Sequence, residues 1–126
     1  MPYVYSEVDN LQGKSPVDSH QCVALLQHYI SAPHTSAWRE GKKVLGNPSI
    51  VKGTAIATFV SGKYPNARTG NHAAFYLSHD ASGIWIMDQW AGKETISKRY
   101  IRKKGVGKDG AFIDPSNNAE AFSVIE

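Results

Sequence analysis

The chain has 126 residues, which is one domain by size and long enough to bury a core without staples. It is 41% hydrophobic and 20% charged, with a net charge of +3 from 14 basic and 11 acidic residues. That balance is too weak to imply nucleic acid; one cysteine excludes a disulfide framework or multi-cysteine metal site, and no apolar run is long enough to span a membrane.

The opening stretch, MPYVYSEVDNLQGK, is polar and carries acids, so it does not read as a secretory signal. The expectation is a chain made in the cytoplasm, with any export by a signal-independent route. The first strong pattern is VDSHQCVALLQHYI, residues 17–30. Cys22, Leu25, Leu26, Tyr29 and Ile30 fall at i, i+3, i+4, i+7 and i+8, which predicts an amphipathic helix. Asp18 or Ser19 can cap it. With Asp18 as cap, Gln21 stands at the third helical position in a capping-box-like arrangement. Pro33 bars continuation. A short helix or turn is expected at 36–41 and a loop over 42–53.

Strand signals follow in TAIATFV (54–60), NHAAFYLS (71–78), IWIMDQW (84–90), TISKRYIRK (95–103) and AFSVIE (121–126). SGKYPNARTG (61–70), GVGKDG (105–110) and DPSNN (114–118) read as loops. HDASG (79–83) reads as a turn that makes a hairpin of its flanking runs. The predicted class is α+β: one helix on an antiparallel sheet of about five strands, as a single domain over 1–126.

Chemistry centres on Cys22. At a helix start, unpaired N–H groups and the positive dipole end stabilise a thiolate and can hold an oxyanion. The competing reading is a small hydrophobe buried in the core. Of five histidines, His20, His28, His34 and His79 read as surface or turn residues. His72 opens a strand beside the small Ala73 and Ala74, and is the candidate base. Asp88 interrupts an apolar run, so if half buried it needs a partner, and an imidazole on the adjacent strand supplies one. The alternative is that Asp88 faces solvent at the strand end. Gln89 stands in for it if the register slips by one residue. Gln21 and Gln89 are also candidates for holding an oxyanion or positioning substrate, although for Gln21 completion of the helix cap is the plainer role.

Tyr3 and Tyr5 read as surface packing, and Trp85 and Trp90 as core, with Trp90 able to floor a groove. In 93–108, Lys and Arg far outnumber the one acid, Glu94, as on a solvated edge strand; an anionic partner is the sharper reading. No phosphate loop, dinucleotide fingerprint, HExxH or EF-hand pattern is present, so no cofactor or metal is expected.

The order of these parts resembles the CHAP and NlpC groups of papain-like cysteine amidohydrolases and peptidases. HQCVALLQHY resembles their nucleophile helix, KGTAIATF the strand that follows, TGNHAAFYL the histidine strand and GIWIMDQW the acid strand. The chain is also similar in plan to the amidase effectors that bacteria inject into rivals through type VI secretion. The resemblance implies Cys22 as nucleophile, His72 as general base, Asp88 as orienting acid and a peptidoglycan stem peptide as substrate. It also implies a cognate immunity or inhibitor protein as a partner. A non-catalytic binding module, or a deamidase or acyltransferase on the same scaffold, are the competing functions.

Overall fold

The computed structural model describes residues 2–126. A single α-helix, α1 (Cys22–Ile30), packs on a six-stranded antiparallel sheet. The strands are β1 (Glu40–Lys43), β2 (Ala55–Thr58), β3 (Ala73–His79), β4 (Gly83–Asp88), β5 (Ser97–Arg102) and β6 (Phe122–Ile125). Their spatial order is β1-β6-β2-β3-β4-β5. The α+β architecture holds, with one strand more than expected.

The extra strand is β1. Its sequence, EGKK, has no β-branched residue and no alternation, so propensity gives no signal. Pairing with β6 creates it: Glu40 lies opposite Ile125 and Lys43 opposite Ser123, across an irregular register. The helical turn expected nearby is a 3₁₀ turn at Thr35–Ala37.

The apolar spacing of α1 does what it predicts. Leu25 and Leu26 are fully buried against the sheet, each contributing about 2 kcal/mol. The helix ends at Ser31 in the left-handed conformation, two residues before Pro33. Its start departs from expectation. Gln21 is itself the N-cap, in extended conformation and with no side-chain cap bond. Asp18 lies earlier, in a turn at positive φ. The capping box that placed Asp18 at the cap and Gln21 at the third position therefore does not form.

Both faces of the sheet are covered, which explains the unbroken apolar runs in β2 and β3. Ala55, Ala57, Ala73 and Phe75 face α1. Alanine there lets the helix approach the sheet closely. Ile56, Ala74, Ile84, Ile86 and Phe122 face the other way, under Val44 and Ala119. The N-terminal segment is tied down as well. Tyr5 N–H donates to the Gly53 carbonyl (2.9 Å), and a side chain at Gly53, which has φ +94°, would collide with the Tyr5 carbonyl oxygen. Tyr3 and Tyr5 pack against the helix-side core.

The β3–β4 hairpin positions the site. Phe75 pairs with Met87 and His79 with Ile84. His79 is thus the last residue of β3, not a turn residue, and its Nδ1 meets the Tyr76 hydroxyl at 2.6 Å. Extending the Phe75–Met87 register sets position 72 diagonal to 88 on one face.

Candidate active site

Three elements converge at one end of the sheet. Cys22 is the first residue of α1, His72 immediately precedes β3, and Asp88 ends β4. His72 is held by a reciprocal pair: its N–H donates to Thr58 Oγ1, and Thr58 N–H donates to its carbonyl, each at 3.0 Å. Its ring is buried, with Trp90 and Phe122 edge-on at 6.4 Å. Nε2 meets Asp88 Oδ2 at 2.7 Å. That leaves Nδ1 as the ring nitrogen available for the thiol, which lies near enough for each group to shift the proton affinity of the other.

The electrostatics follow from these contacts. Burial pushes the Cys22 thiol up, but the hydrogen bond and charge of His72, the Ala73 N–H and the Tyr64 hydroxyl bring it below its ordinary value. Tyr64 Oη lies 3.7 Å from Sγ, and burial together with the thiolate keeps it a phenol. Burial pushes the His72 imidazole down, and the hydrogen bond to Asp88 and the neighbouring Cys22 more than reverse this. Asp88 is fully buried, yet its partners hold it ionised, down to about 2. A lowered thiol beside a raised imidazole favours passage of the thiol proton to the ring.

Asp88 and Gln89 point to opposite sides. Asp88 reaches His72. Gln89, also fully buried, accepts from Val17 N–H at 2.8 Å and donates to the Val17 and Gln21 carbonyls at 3.2 and 2.9 Å. The expectation that Gln89 replaces Asp88, holds an oxyanion or positions substrate is corrected. Its amide is fully occupied in fastening the chain ahead of α1. Gln21 is exposed, and its side chain lines the cleft.

That cleft, of about 570 Å³, opens over Cys22 and His72. Tyr64, Asn66, Ala67, Arg68 and Asn71 line it from the 61–71 loop, and Trp90, Arg99, Ser116 and Asn117 from the far side. It contains two guanidinium groups and no carboxylate. Trp90 and Trp85 are partly exposed, not core as expected; Trp90 walls the cleft and Trp85 stacks on Tyr100. His20 and His28 are exposed, and His34 caps the 3₁₀ turn, all away from the cleft.

Tyr64, Asn71, Ser116 and Asn117 carried no sequence signal, since polar loop residues look alike until the fold gathers them. Lys93 and Arg99 were read as solvated edge charges. Both turn inward to Asp88 instead, at 2.6 and 2.8 Å.

A cysteine at a helix start, a histidine just ahead of a strand and a buried carboxylate on an antiparallel sheet mark a papain-like α+β amidase. The comparisons agree. The chain belongs to the domesticated amidase effector 2 family, whose model matches residues 3–125. The type VI secretion amidase effector 2 protein of Salmonella typhi is 52% identical, with all of both chains covered. Domesticated amidase effector 2 of Ixodes scapularis is 37% identical over 87% of this chain and 73% of its own. A solved structure described as type 6 secretion amidase effector 2 superposes with a TM-score of 0.92 at 51% identity, covering 98% of this chain and 94% of that one.

Proposed function

We propose that the protein cleaves amide bonds in peptidoglycan stem peptides, with Cys22 as nucleophile, His72 as acid–base and Asp88 as the residue that orients His72. The observation that carries this reading is that Cys22 and His72 line the same acid-free cleft, with the buried Asp88 carboxylate bonded to the back of the His72 ring at 2.7 Å. Stem peptides carry free carboxylates, and the exposed Arg68 guanidinium at the cleft wall suits them.

The Cys22 thiolate attacks the amide carbonyl carbon, forming a C–S bond and moving the π electrons onto oxygen. The first N–H groups of α1 have no partners within the helix and are placed to receive that oxyanion. Imidazolium His72 then gives its proton to the amide nitrogen as the C–N bond breaks, releasing an amine and leaving a thioester. Water attacks the thioester as His72 takes its proton. The C–S bond breaks, a carboxylic acid leaves and the thiolate returns. Asp88 keeps one imidazole orientation throughout, with Nε2 turned back and Nδ1 forward.

Among the described residues no helix is long and apolar enough to cross a membrane. Together with the type VI secretion relatives, this supports delivery of the protein as a secreted effector. A producing cell then needs an immunity protein, and the cleft is the surface for it to block. The test is release of peptides from purified peptidoglycan by wild type and by Cys22→Ala. Loss of release in the variant is expected; equal release by both overturns the reading.

A further inference from the structure

His72 has to both take and give a proton, so it must not hold that proton too tightly. Its surroundings push the other way. It is buried against a fully buried carboxylate, an arrangement that favours imidazolium strongly. The structure holds a counterweight. Lys93 Nζ donates to Asp88 Oδ1 at 2.6 Å, and Arg99 Nε donates to Oδ2 at 2.8 Å, the same oxygen that faces His72. Two fixed cations thus oppose one carboxylate.

Neither cation is placed casually. Lys93 is only 13% exposed, and its Nζ also donates to the carbonyls of Asp88 and Ser97, closing the connection between β4 and β5. Arg99 donates from Nη1 to Asn117 Oδ1 at 2.7 Å. Both lie over the Trp90 ring, at 4.5 Å for Lys93 and 5.1 Å for Arg99. Asp88 cannot rotate without breaking both ion pairs.

We propose that Lys93 and Arg99 are positioning residues for the proton transfer: they lock the Asp88 carboxylate towards His72 and offset its charge, so that imidazolium can release its proton to the leaving amine. They act through Asp88 and touch no reacting atom. The other groups facing His72 are Cys22 from α1, Tyr64 behind the thiol, Thr58 from β2 and the Trp90 and Phe122 rings. Apart from the thiol, none supplies a charge; Arg68 adds one at the cleft wall. Asp88, Lys93 and Arg99 are therefore the charged set behind the ring.

The sign follows from electrostatics. Removing a positive charge raises the proton affinity of every neighbouring group. In Arg99→Gln, both the thiol and the imidazolium should therefore hold their protons to higher pH. The proposal rests on His72 as acid–base, but its test needs no peptidoglycan. The alkylation rate of Cys22 by iodoacetamide is measured against pH. The acid limb of the Arg99→Gln profile is expected to move up by about half a pH unit to one pH unit.

Arg99→Lys retains the charge and should leave the limb near its wild-type position. Arg99→Gln in an Asp88→Asn background should give a smaller displacement than in wild type, because only the direct charge effect survives once the carboxylate that Arg99 orients and offsets is gone. Thermal melts confirm that each variant is folded. Arg99 is partly exposed, so its replacement by Gln is tolerable where that of Lys93 is more disruptive. A limb that stays put in folded Arg99→Gln overturns the proposal, as does an equal displacement in both backgrounds. Failure of peptide cleavage by wild type would overturn the substrate assignment and leave this result unaffected.

Discussion

Behind the His72 ring, Asp88 is fully buried and both its oxygens are bonded, whereas in front of the ring the cleft is open and Gln21, Asn66 and Arg68 are exposed. The two sides are built by different parts of the chain. The back comes from the ends of β4 and β5, where strand pairing fixes each side chain against a partner. The front comes largely from the 61–71 loop and the segment around Ser116, held by single bonds such as Asn71 Nδ2 to Tyr64 Oη and Ser116 Oγ to the Asn71 carbonyl. On the proposed mechanism the back governs where protons sit, and the front governs what the thiolate meets. Changes at the back should alter kcat and pH response; changes at the front should alter KM.

Asp88→Asn should have the largest effect of the substitutions behind the ring. An amide cannot carry the charge that stabilises imidazolium, and it invites the wrong imidazole tautomer. A fall in kcat of about 10²- to 10⁴-fold is expected, with little change in KM. The same residue should show in the acid limb of stability. Its folded value of about 2 lies below the ordinary 3.8. Its depressed value contributes stability that is present above about pH 4 and lost as pH falls towards 2, on the order of 2 kcal/mol. Urea unfolding between pH 5 and pH 2, wherever the fold survives, should show that decline flattened in Asp88→Asn. A KM effect larger than the kcat effect would break the division between back and front.

Gln89→Leu probes the seam between the two sides. It strands the Val17 N–H and the Val17 and Gln21 carbonyls, which the amide now satisfies. Buried polar groups left unpaired cost about 1–3 kcal/mol each where water cannot reach them. A destabilisation of about 2–4 kcal/mol is expected by urea unfolding, with more than one group affected and partial rescue by solvent. Because the fastened segment leads into Cys22, alkylation of the folded fraction should also lose its low-pH reactivity. A variant as stable as wild type would show that α1 is seated by its apolar face alone.

What the sequence made legible follows the same line. The helix came through because Leu25 and Leu26 repeat at helical spacing over a burying face. The hairpin came through because its two apolar runs flank a short turn. Asp88 was legible as a charge that needs a partner. β1 was not, since pairing with β6, and not its own EGKK sequence, makes it a strand. The inward turn of Lys93 and Arg99 was not legible either. A basic stretch on an edge strand looks solvated until a buried carboxylate is known to lie within reach of it. The choice between Asp88 and Gln89 depended on which side each faces, and one residue of register decides that.

The smallest effect is expected at the front, from Arg68→Gln. Arg68 is exposed, lines the cleft and has no ion-pair partner among the described residues. Nothing in the fold uses its charge, so stability should change by no more than about 0.5 kcal/mol. An exposed guanidinium pairing with a substrate carboxylate contributes on the order of 1 kcal/mol, which is a roughly fivefold change in affinity. The expected result is therefore a KM raised about three- to fivefold for stem peptides with free carboxylates, at unchanged kcat, and weaker as salt is added. Peptides whose carboxylates are amidated should be cleaved equally by wild type and variant. If the variant instead lowers kcat on both kinds of peptide, Arg68 reaches the proton-transfer machinery. The open side of the cleft would then not be separable from the buried one.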